Sequence, residues 1–332
     1  MMSKRVVLSG YFGFKNFGDE AILSLLVNKL QSDKHRITVI SHDPNYTKSI
    51  YKHIRSVYTF DFTNIIGAIS KSDVLISGGG SLLQDVTSIK SLIYYLLVIF
   101  IALFLKKTVI IFAQGIGPIN SLLGNILTKN IIKHCNYISV RDEKSMELLK
   151  KWGISSDLVC DPIFSIKTPP KTKNKIAIQL RDFKTMNNDF IDRLAAAVNK
   201  YFSNKEIKIY SFQDDIDLEI CKKFEQQLKM LNPNINTSVL YNLSSNEIIE
   251  GISEAEYLIG MRFHSIIVGL LAGCKIIGIN YDIKVEKLSK EFNISLIDLK
   301  NDFENTFENI KETNPVKKYF DWSKFEEIIN SN

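Results

Sequence analysis

The chain is short of the residues that build several common site types, and each shortage excludes a class of function. Its four cysteines, Cys135, Cys160, Cys221 and Cys274, stand far apart. That spacing excludes a C-x-x-C redox or zinc pattern and argues against a disulfide framework, so the thiols read as small buried hydrophobes. The five histidines are scattered, and no cluster of His, Cys, Asp or Glu has metal-ligand spacing. Basic residues outnumber acidic ones by only 42 to 36, with no stripe of arginines and aromatics, which is less than a nucleic-acid surface requires. An excess of this size suits an anionic small substrate or an acidic membrane surface. The opening MMSKRVVLSG carries no signal-peptide pattern, and the expected location is the cytoplasm.

A membrane span is missing as well. The longest apolar run, LIYYLLVIFIALFL at residues 92–105, would reach roughly 21 Å as a helix, short of the ~30 Å hydrocarbon core. Two readings follow: a helix buried on most sides, or one whose outer surface rests on the inner face of the plasma membrane with Lys106 and Lys107 at the head groups.

What is abundant is alternation. Short apolar runs ending in Gly or Asp are followed by helical periodicity, a pattern that predicts parallel sheets with helices on both faces. Strands are expected at 5–9, 37–40, 74–77, 109–113 and 137–140, then at 176–180, 207–212, 238–241, 257–260 and 275–279. The stretch IKTPPKTKNK has two prolines and four lysines and reads as a linker at 166–174. The fold class is therefore α/β, with two doubly wound Rossmann-like domains, 1–165 and 175–332, facing a cleft. Ser244 and Glu247 have the spacing of a capping box at a helix start.

Four constellations lie at predicted strand ends, where open α/β sheets bind ligands. The first, GYFGFKNFGDE, supplies Gly13, Asn16 and Asp19. Its glycine spacing departs from the dinucleotide fingerprint, yet a glycine turn before a helix N-terminus still invites close approach of a ligand. Asp19 reads either as the N-cap of that helix or as a group that binds or polarises an acceptor hydroxyl. The second, GGGSLLQD, offers Gly79, Gly80, Ser81 and Gln84, and AQGIGP adds Gln114. The third places Arg141 at the mouth of a strand, to bind a carboxylate or phosphate or to pair with Asp142 or Glu143. The fourth, GMRFHS, brings Arg262 and His264 to one helix N-terminus, a fixed cation beside a proton-transfer group. Lys284 follows the next strand. The acidic stretch Asp214, Asp215, Asp217 and Glu219 reads as a solvated helix start.

Taken together, GYFGFKNFGDEAIL, SGGGSLLQDVTS, FAQGIGP, SVRDEKSMELLKKWG, CDPIF and GMRFHSIIVGLLAG resemble the polysaccharide pyruvyl transferases, in particular their CsaB-type branch of bacterial cell-wall biosynthesis. The resemblance implies a GT-B-like fold and a ketal-forming transferase that uses phosphoenolpyruvate as co-substrate and no other cofactor. It implies an acceptor among N-acetylmannosamine-containing, lipid-linked glycan precursors of the secondary cell-wall polymer that anchors surface-layer proteins. It places Arg141, Arg262, His264 and Lys284 with phosphoenolpyruvate and Asp19 with the acceptor. A GT-B glycosyltransferase using a nucleotide sugar is the competing enzyme, since fold does not fix function.

Overall fold

The computed structural model describes residues 3–168, 174–183, 188–300, 303–314 and 316–331. The chain divides into two compact units, residues 1–165 with 318–332, and residues 166–317. Most of the expected linker, 169–173, lies outside the described residues.

In the first unit the strands are β1 (Arg5–Ser9), β2 (Arg36–Ser41), β3 (Arg55–Tyr58), β4 (Val74–Gly78), β5 (Thr108–Gln114), β6 (Tyr137–Val140) and β7 (Asp157–Leu158). They form one parallel sheet in the order β3-β2-β1-β4-β5-β6-β7. The second unit holds β8 (Lys175–Gln179), β9 (Glu206–Tyr210), β10 (Thr237–Leu240), β11 (Ala255–Gly260), β12 (Lys275–Asn280) and β13 (Ser295–Asp298), parallel in the order β10-β9-β8-β11-β12-β13. Both are doubly wound α/β sheets. The strand order reverses between β1 and β4 in one and between β8 and β11 in the other, and ligands bind beyond strand ends at such reversals.

Parallel strands covered on both faces need apolar side chains in both directions. β4, VLISG, is accordingly buried at every position. Helix Phe17–Ser32 starts where Asn16 accepts a bond from the Gly18 amide, and it buries Ile22, Leu23, Leu26, Val27 and Leu30. The Ser244 and Glu247 capping box forms, with Glu247 accepting from the Ser244 amide at 2.8 Å. Each unit has its own apolar core. β3, β7 and β13 had no counterpart in the sequence reading, because these runs are short and interrupted by polar residues.

One boundary needs correction. Residues 318–332, expected in the C-terminal domain, pack with the first unit. Phe112 of β5 explains the return: its ring lies 5.3 Å from Phe320, 5.5 Å from Trp322 and 5.1 Å from Phe325, and Glu326 pairs with Lys29. The long apolar run forms helix Ile89–Phe104, capped by Ser88. Among the described residues no helix is long and apolar enough to cross a membrane.

Candidate active site

The loops after β1 and β4 meet at the first reversal point. Helix Phe17–Ser32 aims two carboxylates back into them. Asp19 accepts from the Gly80 amide at 2.7 Å and Glu20 from the Gly13 amide at 2.7 Å. Gly13 is needed for that turn, since its φ is +78° and an added Cβ would lie 2.1 Å from the Ser41 hydroxyl. Asp19 is therefore not the N-cap. Asn16 fills that position, and Asp19 binds a different loop.

Glu20 is 4% exposed, and its Oε2 has no hydrogen-bond partner. Burial pushes its carboxyl up to about 7, with the Asp19 charge adding to the rise and the Gly13 and Lys15 amides opposing it.

Arg141 follows β6 and reaches across the same strand ends. Its Nη1 donates to Asp161 Oδ2 at 2.6 Å and its Nη2 to the Ser81 hydroxyl at 3.4 Å, with both charged side chains nearly buried. Its ion partner is thus Asp161, from the CDPIF motif, and not Asp142 or Glu143. Asp142 instead caps helix Glu143–Lys151 by accepting from the Ser145 amide. The expected pairing with Asp142 or Glu143 is corrected: Asp161 balances the charge of Arg141.

Two glutamines expected at the ligand are engaged elsewhere. Gln84 is bonded within its own loop, donating to the Thr87 hydroxyl and accepting from the Thr87 amide. Gln114 is fully buried in the sheet and donates to the Ser77 hydroxyl at 2.9 Å. Asp85 accepts from the Asn120 and Ser121 amides at 2.7 Å each, which ties the two glycine loops together and holds its carboxyl below the usual range.

The second unit gathers cations. Arg262 sits directly after β11 as the N-cap residue of helix Phe263–Leu271, and its own amide donates to Gln179 Oε1 at 2.6 Å. Its Nε and Nη2 form a two-pronged bond to Asp217 at 2.8 and 2.7 Å. Asp217 is 0% exposed and also accepts from the Phe212 and Gln213 amides. Desolvation pushes this carboxyl above its ordinary range, while Arg262, the amides and Arg181 pull the other way. The acidic stretch is therefore not simply a solvated helix start, because Asp217 faces inward and orients Arg262.

His264, half-buried, stands on the first turn of helix Phe263–Leu271, its ring 5.2 Å from that of Phe263. That turn offers backbone amides and the positive end of the helix dipole to an anion. Lys284, also half-buried, lies on the first turn of helix Ile283–Phe292, after the neighbouring strand β12, with its amide on Asp282.

Arg181 was not anticipated. It follows β8, beside β11, and its buried Nε has no hydrogen-bond partner. Its charge is felt by Asp217 and by Tyr281, whose hydroxyl burial drives upward. The signal was present as an arginine at a predicted strand end, the same signal that singled out Arg141. The structure thus brings Arg181, Arg262, His264 and Lys284 to the ends of three adjacent strands of one unit, and Asp19, Gly79, Gly80, Ser81 and Arg141 to those of the other.

The polysaccharide pyruvyl transferase family model matches residues 16–283, from the first glycine loop to the start of the Lys284 helix. The chain belongs to the polysaccharide pyruvyl transferase family. This membership makes it a transferase of the polysaccharide-pyruvylating kind. No curated protein matches it in sequence.

Several solved structures share the two-unit, GT-B-like fold of this pyruvyl transferase. UDP-GlcNAc 2-epimerase from Methanocaldococcus jannaschii superposes with a TM-score of 0.67 at 12% identity, over 99% of either chain. Anabaena HepE, solved with UDP-glucose, gives 0.60 at 10% identity over 92% of this chain and 89% of its own. A glycosyltransferase from Rickettsia africae gives 0.57 at 13% identity over 90% and 86%. Identities this low speak to fold alone.

Proposed function

We propose that the protein transfers pyruvate from phosphoenolpyruvate to a glycan, closing a cyclic ketal. The carrying observation is the family match through both sets of strand ends. The cation group of the second unit suits a donor bearing a carboxylate and a phosphate: Arg181 and Arg262 meet the anions, and the amides at the start of helix Phe263–Leu271 add to their hold.

His264 protonates the methylene carbon of phosphoenolpyruvate, which leaves C2 electron-poor. A sugar hydroxyl attacks C2 and returns a proton to His264. A second hydroxyl of the same sugar then bonds to C2 as the C2–O bond to phosphate breaks, its proton leaves with the phosphate as hydrogen phosphate, and Lys284 stabilises the departing oxyanions. Asp19 and the Gly79, Gly80 and Ser81 loop serve the acceptor in this scheme, and Arg141, which the family resemblance sets with the donor, stands beside that loop with its charge matched by Asp161.

The acceptor we propose is an N-acetylmannosamine-containing, lipid-linked precursor of the secondary cell-wall polymer that anchors surface-layer proteins, as in the CsaB-type branch. The reaction then runs in the cytoplasm at the inner face of the membrane, with no cofactor beyond the co-substrate. The competing reading is a nucleotide-sugar glycosyltransferase, because the fold is shared and does not fix function. Incubation with labelled phosphoenolpyruvate or labelled UDP-sugar and an N-acetylmannosaminyl lipid separates the two. Label from phosphoenolpyruvate should appear in the lipid with release of phosphate. Transfer of sugar label alone would overturn the proposal.

A further inference from the structure

Soluble surfaces scatter their exposed apolar side chains, and a large contiguous patch marks an interaction face. Here thirteen of the twenty large apolar side chains exposed among the described residues fall between Tyr58 and Ile126. On helix Ile89–Phe104 they occur at 89, 93, 97, 100 and 104, the spacing of one helical stripe. A solvent-facing stripe is normally polar, and this one is Ile, Ile, Leu, Phe, Phe. Helices Phe62–Ser70 and Leu122–Ile132 pack on either side of it and extend the patch with Phe62 and Ile66, and with Leu122 and Ile126.

Helices Ile89–Phe104 and Leu122–Ile132 and the chain between them carry charge of one sign, while the third helix, Phe62–Ser70, is capped by Asp61. Residues 86–140 contain five lysines, Lys90, Lys106, Lys107, Lys129 and Lys133, and no Asp or Glu. At one end of the stripe a cavity of about 640 Å³ is lined by Phe100 and Phe104 together with Lys106, Lys107 and His134. An apolar floor with a cationic wall is the chemistry of a chain and its anionic head group. A second copy of this chain is a poorer occupant, because pairing residues 86–140 with their own copy sets lysine against lysine with no carboxylate in that segment.

We propose that the three-helix face around Leu97 docks on a bilayer rich in anionic lipid, with the stripe entering the acyl boundary and the lysines at the head groups. The proposal is independent of the pyruvyl donor, and its test needs no substrate. Vesicles of phosphatidylglycerol and of phosphatidylcholine are sedimented with the full chain, with the Leu97→Glu/Phe100→Glu variant, and with Met230→Glu as an exposed apolar control in the other unit.

The wild-type chain and the control should bind phosphatidylglycerol at least tenfold more than phosphatidylcholine, and less as salt rises. The double variant should lose about tenfold while keeping its circular dichroism. Lys106→Glu should lower binding about fivefold. Absence of sedimentation, equal binding by the double variant, or a dimer seen by light scattering that the double variant abolishes would each overturn the proposal. If both carboxylate substitutions unfold the chain, the Lys106→Glu series and the salt dependence decide it.

Discussion

The two units share one strand order and use their strand ends differently. In the first, Asp19, Glu20 and Asp85 each accept from backbone amides of glycine-containing or neighbouring loops, and the cation Arg141 is matched by Asp161. In the second, Arg262 is bonded to the buried carboxylate of Asp217, which also feels the charge of Arg181, while His264 and Lys284 stand on the first turns of the helices that follow β11 and β12. A common scaffold thus presents carboxylates held by backbone amides on one unit and basic side chains at adjacent strand ends on the other. In the proposed reaction the first set meets sugar hydroxyls and the second a doubly anionic ester.

The largest expected effect sharpens this contrast at the reacting end. His264→Ala should lower kcat about 100- to 10,000-fold, as loss of a general acid does, with an unchanged melting temperature. A variant with normal turnover would reduce His264 to a bystander. Next, Asp217→Ala leaves Arg262 charged, buried and unpaired, which should cost about 3–5 kcal/mol of stability by urea denaturation. A loss under ~1 kcal/mol would mean that the pair does not organise the site.

Glu20 probes the first unit through pH. Its carboxyl stands at about 7 when folded against an ordinary value of 4.5, so the folded chain retains a proton that the unfolded chain releases. The Glu20 contribution to stability is therefore full below about 4.5 and is lost as pH rises through 7. Over that window it amounts to about 3 kcal/mol. Glu20→Gln should remove the slope, gaining melting temperature over the wild type at pH 8 and little at pH 5. A parallel pair of curves would contradict the burial argument. The smallest effect is expected for Lys284→Ala, about tenfold in kcat/KM, because half-exposed charge is partly replaced by water.

Much of this contrast was legible in the sequence. The alternation of strand and helix and the glycine and GMRFHS motifs locate both reversal points, because a strand end is a local pattern. What escaped depends on which side chains meet. Asp217 sits among Asp214, Asp215 and Glu219, and no periodicity tells which one turns inward to Arg262. The partner of Arg141 lies twenty residues away in CDPIF. Arg181 sits just before a stretch with no recognisable motif, so the same strand-end logic was not applied to it. The return of residues 318–332 depends on Phe112, a contact across most of the chain that no local pattern encodes.

The most direct test of the account is a crystal structure with an unreactive phosphonate analogue of phosphoenolpyruvate. The analogue should lie at the start of helix Phe263–Leu271, with Arg181, Arg262 and His264 within hydrogen-bond reach of its anionic groups. Density for it among the Gly13 and Gly80 loops, with Arg181, Arg262 and His264 untouched, would contradict the assignment of donor and acceptor to the two units.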